Sequence, residues 1–113
     1  MKLIKIVESL GLQVVAAEEA LDKDLSSGYT SDLLSDVIAN SEEGSLWITL
    51  QTHQNTIAVA KLKDLAGIIF VNNRTPNEDT IKKANEEHVP LLLTEESAYS
   101  ISGKLYRLVN EEC

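Results

Sequence analysis

The sequence holds one cysteine, and it is the last residue, Cys113, so neither an intramolecular disulfide nor a cysteine-based metal site can form. A frayed terminal thiol is the simplest reading of it. Long hydrophobic runs are also missing: no stretch approaches the roughly 20 apolar residues that span a bilayer. The opening MKLIKIVESLG is a short apolar segment interrupted by Lys5 and Glu8, without a small-residue cleavage site. It reads as folded structure, so the cytoplasm is the expected compartment and a membrane partner is not expected. Positive charge is scarce, with ten Lys and Arg against eighteen Asp and Glu and a net charge of -8. Such a surface repels the phosphate backbone that dominates nucleic-acid affinity, which argues against a nucleic-acid partner. The five glycines are scattered at Gly11, Gly28, Gly44, Gly67 and Gly103. They build neither the phosphate loop G-x-x-x-x-G-K-[ST] nor the dinucleotide motif G-x-G-x-x-G, and H-E-x-x-H and G-x-S-x-G are absent too. Kinase, dehydrogenase, zinc-protease and hydrolase readings lose their motifs, and no cofactor is implied.

What is present describes one soluble globular domain over residues 1–113. Apolar residues make up 43% and charged residues 25% of the 113, an ordinary balance for such a domain. That length buries roughly 65% of the surface exposed by the unfolded chain. Three segments repeat one pattern of an apolar run, a polar junction and a helical period. SLWITL precedes a helix expected to begin near Asn55 or Thr56, AGIIFV one at Thr75, and VPLLLT one near Thr94. Apolar runs without alternation suit strands buried on both faces. The expected fold class is therefore α/β, a mainly parallel sheet flanked by helices.

Local chemistry supports the helix starts. In RTPNE, Thr75 can cap, Pro76 sits at the first helical position, and Glu78 completes a capping box. Glu78 with Lys82 and Asp79 with Lys83 lie four apart on one exposed face. The final segment places Ala98, Ile101, Leu105 and Leu108 on one stripe, with Gly103 in its middle as either a close-packing point or a weak one. TSDLLSDVIA puts Leu33, Leu34, Val37 and Ile38 on one helical face, with Asp32 near the positive end of the helix dipole. KLIKIVESLGL has the spacing of a helix ending near Gly11, followed by LQVVAA as a strand. EEALDKDLSSGY shows too little periodicity to assign beyond a turn at Gly28.

Two long phrases, VESLGLQVVAAEEALDKDLSSGYTSDLLSDVIANSEEGSLWITLQTHQNTIAVA and LAGIIFVNNRTPNEDTIKKANEEHVPLLLTEESAYSISGKLYRL, resemble the DRTGG domain family, above all its small standalone members. A weaker similarity, through LGLQVV, LDKDL and VPLLLTEESAYSISGKL, points to the N-terminal domain of HPr kinase/phosphorylase. The sequence departs from the family's naming residues twice. THQN, Thr52 to Asn55, stands where the family has Asp-Arg, and Val71, Asn72 and Asn73 replace Thr-Gly-Gly. The resemblance implies an α/β domain that associates with itself or accompanies enzyme and regulatory domains, with no catalytic activity.

In an open parallel sheet, ligands bind outside the carboxyl ends of strands near helix N-termini. Two loops fall there: Gln51, Thr52, His53, Gln54 and Asn55 after the first apolar run, and Asn72, Asn73 and Arg74 after the second. Helix-start N–H groups favour anions and Arg74 adds a fork of donors, so a small anionic ligand or a nucleotide is the expected occupant. Each residue has a plainer alternative. His53 can work as an acid or base, but Thr52, Gln54 and Asn55 beside it are neutral. Asn72 and Asn73 can serve only to turn the chain, and Arg74 can sit in a surface ion pair. Asp32 and Asp36, one turn apart, can hold a divalent cation only with help from other ligands; capping and solubility explain them more simply. His88 stands at a helix end, where a cation interacts favourably with the dipole. The leading expectation is a non-enzymatic regulatory, ligand-sensing module that forms a homodimer. The alternatives are an adaptor docking on a larger metabolic enzyme through its sheet face or last helix, and a small enzyme using His53.

Overall fold

The three uninterrupted apolar runs become the centre of one five-stranded sheet. In the computed structural model, which describes residues 1–111, the chain runs α1 (Leu3–Leu10), β1 (Gln13–Ala16), a 3-10 turn (Glu18–Ala20), β2 (Ser27–Thr30), α2 (Leu34–Asn40) and β3 (Ser45–Thr49). It continues through α3 (Asn55–Leu62), β4 (Gly67–Phe70), α4 (Glu78–Glu87), β5 (Leu91–Leu93) and α5 (Ala98–Glu111). Cys113, expected as a terminal thiol, lies outside the described residues. The strand order is β1-β5-β4-β3-β2. Four strands, β2 through β5, are parallel, and β1 joins β5 antiparallel with a bulge between Val14 and Ala16. The mainly parallel α/β expectation holds.

Burial on both faces explains why the strands do not alternate between apolar and polar residues. Leu46, Ile48, Ile69 and Leu92 pack with Leu3 and Ile6 of α1 and Ile101 and Leu105 of α5. Trp47, Ile68, Phe70 and Leu91 pack on the opposite face with Val37 of α2, Ile57 and Ala60 of α3 and Ala84 of α4. Each strand residue is thus claimed by one helical layer or the other. No helix among the described residues is long and apolar enough to cross a membrane.

Five local expectations need correction. Ser27–Thr30, read only as a turn, is strand β2, because pairing with β3 overrides the weak strand propensity of Ser-Gly-Tyr-Thr. The fourth helix begins at Glu78 rather than Thr75, with Asn77 as its cap residue, and the Thr75 capping box does not form. Tertiary ties decide that boundary: Asn72 and Asn73 turn the chain in left-handed geometry, and the Asn77 N–H is drawn to the Thr52 carbonyl at 3.2 Å. Lys83 meets Glu87 at 3.6 Å, and neither Glu78–Lys82 nor Asp79–Lys83 is joined among the described residues. The last helix starts at Ala98, four residues after Thr94, and Leu33 and Ile38 are exposed while Val37 alone of that face is fully buried.

The two informative glycines behave oppositely. A Cβ on Gly28 would lie 2.7 Å from Leu105 Cδ2, so any larger residue there requires the Leu105 side chain to shift where α5 seats against β2. Gly103 meets nothing within 4 Å, which leaves the weak-point reading of the mid-helix glycine. Gly103→Ala is therefore expected to stabilise the fold by about 0.5–1 kcal/mol, read as a higher urea midpoint at unchanged slope.

Candidate functional site

Because β2, β3, β4 and β5 run parallel, the loops following them all open on one edge of the sheet. Hydrogen bonds join these four loops in sequence. Asp32, after β2, accepts from the Thr49 hydroxyl at 2.9 Å and the Leu50 N–H at 2.8 Å, and its carbonyl accepts from Gln51 Nε2 at 2.7 Å. The Thr52 carbonyl accepts from Asn77 N–H and from the buried Thr80 hydroxyl at 2.7 Å, linking the loops after β3 and β4. Asn72 N–H reaches the Glu96 carbonyl and Asn73 N–H the Thr94 carbonyl, both at 2.9 Å, linking the loops after β4 and β5.

This arrangement sorts the expected site residues. Asn72 and Asn73 sit at φ 55° and 57° with their N–H groups engaged, so the chain-turning role is filled and only their side chains face outward. His53 is exposed, and its Nδ1 accepts the Asn55 N–H at 3.0 Å while its carbonyl accepts from Thr56. The ring therefore caps α3, and the tautomer that allows this carries its proton on Nε2 and presents a donor outward. The Thr52, His53 and Gln54 N–H groups have no acceptor among the described residues. Arg74 is exposed and forms no ion pair there, so the surface salt bridge offered as its alternative is not made. Gln51 is committed to the Asp32 carbonyl.

The two loops are neighbours, and each borders a groove of its own. Gln54 borders a shallow groove of about 210 Å³ with Asp79, Lys82, Lys83 and Glu86. Asn73 borders a different one of about 330 Å³, shared with Gln13, Thr94, Glu95 and Glu96. The second groove marks the topological switch: after β4 the chain passes to the α3–α4 layer, and after β5 to the α1–α5 layer. The sequence reading placed the site between the ends of β3 and β4, one strand away from that switch. Glu96 lies beside Lys104 at 2.9 Å and Ser100 at 2.6 Å, and these partners hold its carboxyl below the usual range. Two carboxylates make this groove unsuited to an anion. The residues that sequence reasoning missed are Thr80, Asn77 and Glu96, whose ties depend on chain segments far apart in sequence.

Asp36 and His88 take structural roles. Tyr29 Oη donates to Asp36, and Asn40 Nδ2 does so at 2.8 Å. Hydrogen bonds from Ser31, Asn40 and Tyr29 lower the Asp36 carboxyl, and the same contact raises the Tyr29 hydroxyl. Asp32 and Asp36 thus serve separate networks, and among the described residues no three His, Cys, Asp or Glu gather as metal ligands. His88 ends α4 in left-handed geometry with Nδ1 3.0 Å from Glu19, lowering that carboxyl.

No family model matches the sequence, and no curated protein matches it. Among solved structures, the fold matches the crystal structure of the CBS and DRTGG domains of the regulatory region of Clostridium perfringens pyrophosphatase, complexed with activator, diadenosine tetraphosphate. The TM-score is 0.69 at 16% identity, covering 93% of this chain and 45% of that one. The fold is DRTGG-like. A DRTGG-like fold is what the sequence resemblance implied, and this chain spans less than half of the chain it matches.

Proposed function

We propose that residues 1–113 form a DRTGG-like regulatory module of the cytoplasm, without enzymatic activity of its own, that self-associates and senses a small anionic ligand or nucleotide. The observation that carries this reading is a set of unengaged donors ahead of α3 and α4. They are the Thr52, His53 and Gln54 N–H groups, and the Arg74 guanidinium. Successive N–H groups at a helix start suit a phosphate or carboxylate, and the planar cationic fork of Arg74 sits on the loop hydrogen-bonded to theirs. His53 has one ring nitrogen committed to a cap, and among the described residues its ring bonds to no carboxylate, hydroxyl or thiol, which favours binding over acid-base chemistry. The similar pyrophosphatase regulatory region, captured with diadenosine tetraphosphate, supports testing nucleotides first.

The test is thermal unfolding in the presence of diadenosine tetraphosphate, ATP, AMP and small dicarboxylates. A ligand at a hundred times its Kd stabilises the folded state by about 2.7 kcal/mol. Arg74→Ala is expected to weaken that shift about tenfold in concentration, whereas His53→Gln, which keeps an acceptor for the α3 cap, is expected to preserve most of it. Flat unfolding curves with every compound at millimolar concentration would overturn the ligand-sensing reading.

A further inference from the structure

The two edges of the sheet are protected very differently. β1 carries a bulge between Val14 and Ala16 and runs into left-handed Ala17 (φ 53°), features that discourage another strand from pairing there. β2 has none of the usual protections: Ser26 to Ser31 contains no charge and no proline, and its register with β3 is regular. Ser31 N–H reaches the Ile48 carbonyl at 3.2 Å, so the parity of the parallel ladder turns Ser27 and Tyr29 toward β3 as well. The peptide groups of Gly28 and Thr30 then face outward. Both residues are exposed.

The flanks of this edge carry exposed apolar side chains. Along α5, Lys104, Arg107, Leu108 and Glu111 line the groove toward α1. Ser102, Leu105, Tyr106, Val109 and Asn110 line the groove toward β2, and none of these carries a charge. Tyr106 is 70% exposed, and Tyr99, two turns earlier on the same stripe, is 92% exposed. On the other face, α2 packs against α3, and Leu33 at its start and Ile38 within it are 63% and 40% exposed. The sole ionisable group of α2, Asp36, is occupied by Tyr29 and Asn40. Isolated exposed apolar side chains are ordinary, but four of them on both sides of an unprotected strand edge form a binding surface.

We infer that this edge takes a second copy of the same chain, with β2 pairing antiparallel to β2 of the partner about a two-fold axis at Tyr29. This specifies the self-association in the function proposed above and rests on it. Two chains each carrying a charge of -8 repel, and Ser26 to Ser31 offers them an uncharged stretch of edge, with exposed Asp32 following it. The pattern is also self-complementary: with Tyr29 on the axis, the Gly28 peptide meets Thr30 of the partner and Thr30 meets its Gly28, giving four hydrogen bonds. A continuous ten-stranded sheet results, with Tyr99, Tyr106, Leu33 and Ile38 covered across the seam. Because the partner's strands run the opposite way, the two ligand rims lie on opposite edges and bind independently.

Sedimentation and cross-linking test the pairing. The wild-type chain is expected to be a dimer at high micromolar concentration. Thr30→Pro removes an outward N–H that β3 does not use, and is expected to weaken dimerisation at least tenfold with an unchanged circular dichroism spectrum. In a Cys113→Ser background, Tyr29→Cys is expected to form an intermolecular disulfide, since facing residues of a non-hydrogen-bonded pair lie about 4.5 Å apart. Ser27→Cys is expected not to, because its copies are separated by about 13 Å of strand. A wild-type dimer that survives Thr30→Pro and does not cross-link through position 29 overturns this interface while leaving self-association intact. A wild-type monomer at high micromolar concentration overturns both.

Discussion

Trp47→Ala is expected to cost about 3–5 kcal/mol, a large share of the roughly 5–15 kcal/mol that holds a domain of this size together. Trp47 is fully buried in the interior strand β3 among Val37, Ile57 and Phe70, so its removal leaves a cavity that backbone ladders on both sides prevent from closing. Its indole also donates to the Ser31 carbonyl at 2.8 Å, joining the core to the loop that carries Asp32. Trp47→Phe keeps most of the packing and loses only that bond, so a smaller loss of about 1–2 kcal/mol is expected. Urea unfolding followed by circular dichroism separates the two variants. An alanine variant within 1 kcal/mol of wild type would show that this packing account of the core is wrong.

Asp32→Ala is expected to destabilise the fold by about 2–3 kcal/mol although the residue is largely exposed. Its carboxylate accepts from the Thr49 hydroxyl, which is buried, and from the Leu50 N–H at the end of β3. Without it the buried hydroxyl has lost its acceptor, and a charge-assisted bond that holds two loops together is gone. Asp32→Asn keeps an acceptor oxygen in place and is expected to recover more than half of the loss. Trp47, the only tryptophan, reports both transitions by its fluorescence. The same variant loosens the loop holding Thr52, His53 and Gln54, so ligand-induced stabilisation is expected to fall further than overall stability does. An alanine variant that unfolds at the wild-type urea midpoint would remove Asp32 from the framework of the rim.

Part of the site was legible because its position follows from sheet type alone. Apolar runs such as GIIF and LLL demand cover on both faces, that cover demands parallel crossovers, and parallel crossovers place the following polar loops on one edge. THQN and NNRT were therefore found at that edge without coordinates. The helix starts were less legible. Pro76 and Glu78 have the chemistry of an N-terminus, yet the helix waits for Asn77 because the Thr52 carbonyl lies 25 residues earlier in sequence and beside it in space. β2 was hidden for a related reason: Ser-Gly-Tyr-Thr has little strand character until β3 pairs with it and Leu105 packs closely over Gly28.

The sequence by itself determined the class of fold, the two-faced core and the edge on which the candidate loops emerge, because periodicity and burial are properties of short segments. Only the tertiary structure decided that a groove lies across the end of β5 between Asn73 and Gln13, that Asn72 and Asn73 are engaged through their backbones, and that β2 is an unprotected edge. Those features depend on which layer α5 joins and which distant carbonyl each N–H reaches. Local residue preferences do not encode such choices; they are settled when the whole chain packs at once.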